Sequence, residues 1–329
     1  MPESPLYPLM FQARFKERIW GGRSLETLYG KRLPPEVLIG ESWEVADRPG
    51  DESVVANGPL AGRTLRTLIE EHGPDILGAA AAAEDGRFPL LCKILDAREK
   101  LSLQVHPPPH ASRLGDPKTE MWYIAAAEPG AELFVGLKAG VTRKAFEEAI
   151  NRGTVAECFH RVAVAAGDAM FLPSGRVHAI GAGLVVFEIQ QNSDTTFRVH
   201  DWNRVGLDGK PRELHVEESL ASIDFDDVEP ALIQAESLRQ GGFEIRSLVD
   251  HSLFHVDLIS AREAGELRPV AARLRVLAAV EGAITVRGGG LKETLNAGEF
   301  CLLPACVQDT AIEARAGARY LLVEAGTRT

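Results

Sequence analysis

Short apolar runs closed by Gly, Pro, Asp or Asn follow one another along this chain, and that spacing limits its fold more than any other feature. FPLLCKIL (88–95), SLQVHP (102–107), KTEMWYIAA (118–126), AELFVGL (131–137), DAMFLPSG (168–175) and LVVFEIQQ (184–191) occupy the middle. FHVDLISA (254–261), RVLAAVEGAITVRG (275–288), GEFCLLPA (298–305) and ARYLLVEAG (318–326) occupy the end. Runs of this length between turn residues read as β-strands. Helix signals are fewer. One segment starts at Thr64, places Leu65, Leu68 and Ile69 on one face and stops at Gly73; another starts at Thr142, pairs Phe146 with Ile150 and stops at Gly153. A third covers Glu213 to Ser222, and the cluster Ala79–Ala83 either extends the first helix or forms a loop. A mainly β body with a few accessory helices follows, a barrel or jelly roll rather than a parallel α/β sheet.

The β pattern repeats. GDAMFLP at 167–173 and GEFCLLP at 298–304 are each a Gly-acidic turn followed by a strand ending in Pro, with both ends offset by 131 (298 − 167 and 304 − 173). Two copies of one β unit fit this spacing. The first continues SGRVH and the second ACVQD, so Cys306 stands where Gly175 does and Asp309 where His178 does. Without the histidine, the second copy reads as structural. The acidic stretch Asp224–Gln240 is the expected linker, dividing a domain of residues 1–235 from one of residues 236–329.

Composition excludes several roles. At 45% hydrophobic and 25% charged, the 329 residues are ordinary globular material. No apolar run approaches bilayer length, and MPESPLYPLMFQARF has no secretory layout. Cys92, Cys158, Cys301 and Cys306 form no CxxC pair and read as buried thiols of a reducing compartment. A soluble, cytoplasmic protein is expected. The net charge of −11 argues against nucleic acid or an anionic membrane as partner. Any site for an anion must therefore be local and concave.

Three segments can carry chemistry. In LSLQVHP, strand alternation points Leu101, Leu103 and Val105 one way and Ser102, Gln104 and His106 the other. Three polar side chains on one face suit a cavity wall, though the outer side of an edge strand would alternate in the same way. In KTEMWY, Lys118, Glu120 and Trp122 share a face, and in LPSGRVHA a Pro-x-Gly turn precedes His178. Each pattern alone is ordinary. Taken together, two histidines and a glutamate are the donors of an open catalytic metal site, and suit zinc or ferrous iron.

LSLQVHP, KTEMWY, FLPSGRVHAI and FEIQQNSDTTFRVHDWNR, with IWGG at 19–22 and GESWEVAD at 40–47, resemble the type I mannose-6-phosphate isomerases in the expected order. The resemblance is close over residues 15–205, and the length is similar to that of the family's short bacterial form. It implies cupin-type jelly-roll barrels, the second one degenerate, and one Zn2+ per chain. His106, Glu120 and His178 would be zinc ligands, with Gln104 at the position of a fourth. Arg198 matches the active-site arginine, Lys118 and Glu188 the proton-transfer partners, and Ser102 and Arg204 the neighbourhood of the substrate phosphate. Arg204 stands where longer members carry lysine, and a guanidinium fork holds phosphate differently from an ammonium.

The implied reaction interconverts mannose 6-phosphate and fructose 6-phosphate, moving a proton between C2 and C1 through an enediol-type intermediate. Either Glu188 or Lys118 would carry that proton. Another sugar-phosphate isomerase of the same fold, such as a phosphoglucose isomerase, and a metal-dependent sugar-binding protein without turnover both remain open. The partner is a small hexose 6-phosphate, and a monomer or small homo-oligomer is expected.

Overall fold

Three strands come first, β1 (Leu9–Met10), β2 (Arg14–Gly22) and β3 (Ile39–Val45). Eight follow: β4 (Leu90–Ala97), β5 (Leu103–Val105), β6 (Glu120–Ala127), β7 (Glu132–Leu137), β8 (Phe159–Ala163), β9 (Ala169–Leu172), β10 (His178–Ile180) and β11 (Leu184–Gln191). Then β12 (Phe197–His200), β13 (Ser237–Gln240) and β14 (Phe243–Asp250) lead to a second eight. These are β15 (Phe254–Ala261), β16 (Gly265–Leu267), β17 (Arg275–Glu281), β18 (Ala283–Gly288), β19 (Leu291–Asn296), β20 (Phe300–Leu303), β21 (Ala311–Ala314) and β22 (Arg319–Ala325). This computed structural model describes residues 6–326 except Ala81 and Glu84.

The two sets of eight pair identically. The first forms the orders β4-β11-β6-β9 and β5-β10-β7-β8, the second β15-β22-β17-β20 and β16-β21-β18-β19. In each, the first strand pairs with the eighth, the eighth with the third and the third with the sixth, while the second, seventh, fourth and fifth make the facing sheet. That is jelly-roll order, repeated. The motif repeat sits at the same place in both, as β9 and β20, each following a left-handed glycine (Gly167, φ 97°; Gly298, φ 84°). Strands β3 and β2 widen the first large sheet, and β14 and β13 widen the second. The N-terminal β1 pairs with β20, so the chain start completes the C-terminal sheet.

Alternation along the central strands gives the large sheet of the first unit two different faces. Cys92, Ile94, Tyr123, Phe187 and Ile189 share one core with Phe254, Val256, Val276, Phe300 and Leu321 of the second unit, and the Phe187 and Phe300 rings stack 5.6 Å apart. The other face carries Lys93, Glu120, Trp122 and Glu188 inward toward the small sheet. The packing that joins the two units thus backs the wall that carries the polar groups.

The helices follow their signals with two differences. The helix Arg143–Arg152 is capped by the Thr142 hydroxyl and ends at left-handed Gly153, as expected. The one capped by Thr64 runs on through Gly73 to Leu77 across a kink at His72, because Ile76 and Leu77 are buried and hold the extra turn. Ala79 and Ala80 lie in turns, whereas Ala81 is outside the described residues. The helix expected from Glu213 begins only at Val216. His215 is held out of it by β12, since its N–H donates to Arg198 O (2.8 Å) and its Nδ1 accepts from the Arg198 N–H (3.2 Å). The segment expected as a linker lies along the first unit, Leu137 N donating to Asp227 O and Arg176 forming a two-point pair with Asp227, before Ser237–Gln240 joins the second sheet.

The IWGG and GESWEVAD segments have a packing reason. A Cβ on Gly21 would run into the backbone of Gly40 across the β2–β3 pair, and one on Gly22 would lie 2.7 Å from Asp96 Oδ2. That carboxylate accepts the Ser24 N–H at 2.6 Å where the first helix, Ser24–Tyr29, starts. Small residues on both strands let the sheet edge close over the cavity described next.

Candidate active site

Cross-strand register assembles the site from both sheets of the first unit. On the small sheet, His178 lies directly opposite Gln104, and Gln104 directly opposite Arg198, giving one row across β10, β5 and β12. Residues opposed in this way share a face. Strand β5 is interior, flanked by β10 and β12, and Ser102 and His106 are buried, so its polar face is a cavity wall rather than a solvent edge. Leu103 and Val105 enter the core behind it, as alternation requires. On the large sheet, Lys93, Glu188 and Trp122 form a second row, with Glu120 opposite Gln190 one step along.

Where the two rows meet, His106, Glu120 and His178 bring their ligand atoms within 4.8 Å of one another. His106 Nε2 lies 3.7 Å from Glu120 Oε2, and His178 Nε2 lies 3.4 Å from Glu120 Oε1. All three residues are buried to 1% exposure or less. His106 Nδ1 is 2.7 Å from the Thr195 carbonyl and His178 Nδ1 is 2.9 Å from the Arg176 carbonyl. A carbonyl can only accept, so each Nδ1 carries the hydrogen and each Nε2 offers a lone pair to the centre. This backbone hold on the far nitrogen is how proteins orient metal-ligating histidines. Among the described residues, His106 Nε2 and both Glu120 oxygens are buried without a hydrogen bond of good geometry. Buried acceptors aimed at one point are costly to leave bare, and a cation there would satisfy all of them. Gln104 is beside them, its Nε2 3.3 Å from His178 Nε2.

Electrostatics sharpen this. Burial pushes the His106 and His178 imidazoles down, His178 to about 3, so both are neutral at physiological pH. Burial would raise the Glu120 carboxyl, but the ammonium of Lys118, 2.7 Å from Oε2, and the two histidines hold it well below the usual range. Glu188 goes the other way. Burial raises its carboxyl, and the nearby Glu120 charge adds to that against the pull of Lys118, Lys93 and the Trp122 indole N–H at 2.9 Å. Lys93 is buried among Glu41 (3.4 Å), Glu188 (3.5 Å) and Asp194 (3.8 Å), which keep it protonated.

These shifts set a pH dependence for the metal-free protein. The unfolded chain protonates His178 near 6.5 while the folded chain resists until about 3, and His106 is shifted the same way, so the unfolded state binds more protons in between. Stability is then fully present above about pH 6.5 and falls as pH drops toward the folded values. Glu120, lowered, adds to the loss below its ordinary range; Glu188, raised, opposes it above that range, one carboxyl against two imidazoles. Urea titrations of metal-free protein should show a lower midpoint at about pH 5 than at about pH 7.

Above the metal set lies a cavity of about 550 Å³. Of the expected residues it is lined by Ser102, Gln104, Lys118, Glu188 and Arg198, and His106, Glu120 and His178 close its floor through Gln104 and Lys118. Arg204, expected beside the phosphate, does not line it. All three of its guanidinium nitrogens donate elsewhere, to Asp201 and to the Lys100 carbonyl. Several lining residues were not singled out from sequence: Lys93, Glu41, Arg18, Arg212 and Asp194. A lone lysine inside FPLLCKIL was a usable signal, because a buried strand tolerates one only where partners wait. Arg18 and Arg212 gave none.

Among the described residues, the unit at the C-terminus has no such centre. Arg275 pairs with Leu303 and Glu324, as Glu120 pairs with Leu172 and Gln190. The place of Glu120 is thus taken by a buried arginine, whose Nε donates to Glu324 at 2.8 Å. Asp309, at the position of His178, accepts the Gly289 N–H at 2.9 Å in an exposed turn.

Fold and site together define a class, a jelly-roll protein whose two sheets hold a His/Glu/His set able to bind a metal ion beneath a cavity lined with acids and bases. Residues 9–137 match the model of the phosphomannose isomerase type I catalytic domain. The chain is 37% identical over 314 residues to the probable mannose-6-phosphate isomerase GmuF of Bacillus subtilis, covering 93% of this chain and 96% of that one. It is 35% identical to the mannose-6-phosphate isomerase of Streptococcus mutans, over 92% of this chain and 93% of the relative. A crystal structure of the Bacillus subtilis mannose 6-phosphate isomerase superposes with a TM-score of 0.86 at 33% identity, covering 97% of this chain and 99% of the other. The chain belongs to the type I mannose-6-phosphate isomerase family.

Proposed function

We propose that this chain is a zinc-dependent isomerase that interconverts mannose 6-phosphate and fructose 6-phosphate. The observation that carries the reading is the buried convergence of acceptors from His106, Glu120 and His178, directly under a cavity that holds Glu188, Lys118 and Arg198. Those three side chains, with Gln104 as a further neighbour, would hold the zinc, and the donor set suits it. When bound, zinc would polarise the sugar carbonyl as a Lewis acid.

The chain's own groups do the rest. Glu188 takes the proton from C2 of the open-chain aldose and returns it at C1, while the proton of the C2 hydroxyl passes to O1, giving the ketose through an enediol-type intermediate. Its burial and raised carboxyl favour it over Lys118, whose ammonium is committed to Glu120 at 2.7 Å. Arg198, half-buried with Nη1 anchored on the Glu213 carbonyl at 2.8 Å and a buried Nε without a hydrogen-bond partner among the described residues, steadies the developing oxyanion. Ser102, whose hydroxyl donates to Gln104 Oε1 at 3.3 Å, orients the sugar. The chemistry falls to residues 1–235, and 236–329 form the supporting unit, a division favoured by the Arg275–Glu324 pair at the metal position. We place the enzyme in the cytoplasm, consistent with buried thiols at Cys92, Cys158 and Cys301. No helix among the described residues is long and apolar enough to cross a membrane.

Arg198→Ala is expected to lower turnover by about 10²–10³ with metal content unchanged, measured on the same preparation. The function itself is tested by following fructose 6-phosphate formation from mannose 6-phosphate and from glucose 6-phosphate. Turnover confined to the mannose substrate supports the reading, and turnover of glucose 6-phosphate alone, or of neither, refutes it.

A further inference from the structure

A second cavity, of about 490 Å³, opens on the large sheet of the C-terminal unit. Cross-strand register builds its floor. Glu244 on β14 lies opposite Ser260 on β15, Ser260 opposite Arg319 on β22, and Arg319 opposite Glu281 on β17. The next row on that face is Arg246, Leu258 and Leu321. Leu258 and Leu321 belong to the core that joins the two units, so alternation turns both rows toward the first unit. Glu244, Arg246, Leu258, Ser260, Arg262 and Arg319 line the cavity at the rim of that core. From the first unit, Tyr123 feels the same charges. Burial raises its hydroxyl and Glu281 adds to the rise, while Arg319 and Arg246 pull it back.

The carboxylates in these rows are already engaged. Arg262 donates Nε to Glu244 Oε2 at 2.6 Å and Nη2 to the same oxygen, and the Ser237 hydroxyl donates to Glu244 Oε1 at 2.7 Å. Arg319 donates Nε to Glu281 Oε2 at 2.6 Å. Arg239, across from Glu244 on β13, adds a further positive charge. Arg239, Arg246, Arg262 and Arg319 thus stand against Glu244 and Glu281, four cations against two anions. Arg246 is half-buried and makes no hydrogen bond or ion pair among the described residues. On a chain of net charge −11, a concave surplus of guanidinium charge attracts anions locally.

We propose that this cavity is a phosphate site of the C-terminal unit, where Arg246, Ser260 and Arg319 hold inorganic phosphate or the phosphate of a small ester. The three side chains come from adjacent strands about 4.8 Å apart, so their donors approach the ligand from different directions. That suits a tetrahedral oxyanion with acceptors all round, whereas a planar carboxylate is satisfied by one guanidinium edge. With both carboxylates engaged, the site offers donors and selects against a cation. It shares no lining residue with the catalytic cavity, so it does not depend on the isomerase reading.

The test titrates inorganic phosphate into the full chain by calorimetry, using wild type, Arg246→Gln and Arg246→Lys, with succinate as a second probe. Steady-state kinetics with mannose 6-phosphate on the same proteins report on the catalytic cavity. Arg246→Gln should weaken phosphate binding at one site per chain by about tenfold to hundredfold, with kcat and KM unchanged, and Arg246→Lys should recover part of the loss. The melting temperature of wild type should climb with phosphate concentration, and the climb should be smaller in Arg246→Gln. An isotherm identical to wild type would overturn the site. So would weaker phosphate binding matched by an equal rise in KM, which would place the phosphate in the catalytic cavity. Succinate binding more tightly than phosphate, and lost with the same substitution, would overturn the assignment to phosphate.

Discussion

Glu120→Gln is expected to empty the metal site and lower turnover by about 10³, the largest loss any single substitution here should cause. The shape of the side chain is kept while its charge is lost, which separates ligation from packing. Both carboxylate oxygens point at the histidine nitrogens, Oε1 at His178 and Oε2 at His106. The change also strips Lys118 of its partner at 2.7 Å and leaves a 4%-exposed ammonium in a low-dielectric site. Breaking one side of a buried pair costs about 3–5 kcal/mol, so the melting temperature should fall as well. Metal analysis of the purified variant is the deciding measurement. A full metal complement with near-normal turnover would remove Glu120 from the ligand set.

Glu188→Gln should be nearly as damaging to turnover, by about 10²–10³, and harmless to metal content. Glutamine can still accept from the Trp122 indole, so the wall should keep its shape. What it cannot do is take a proton. The specific readout is exchange of the substrate's C2 hydrogen with deuterium from solvent, which should disappear with the isomerisation. If exchange persists in Glu188→Gln and vanishes instead in Lys118→Met, the proton carrier is the lysine.

Strand content, the repeat and the polar face of LSLQVHP were all legible because period-two alternation and turn residues are local. The structure keeps Ser102, Gln104 and His106 on one wall for that reason, and the GDAMFLP and GEFCLLP copies occupy equivalent strands. The metal set was only half local. Nothing in KTEMWY or PSGRVH says that Glu120 and His178 face the same point; that comes from the register of β6 and β10 on opposite sheets. Arg204 and Arg212 show where local reading stops. Both are exposed-looking arginines in a polar loop, and which one enters the cavity depends on how Asp201 and the Lys100 carbonyl capture the other. Lys93, hidden in an apolar run, is explained only by Glu41 and Glu188 arriving from neighbouring strands.

The most direct measurement is isomerisation of mannose 6-phosphate by one preparation, assayed as purified, after chelation, and after zinc is restored, with bound metal quantified each time. Activity that falls with the metal and returns with about one zinc per chain is the predicted result. Full conversion to fructose 6-phosphate by protein shown to contain no metal would contradict it.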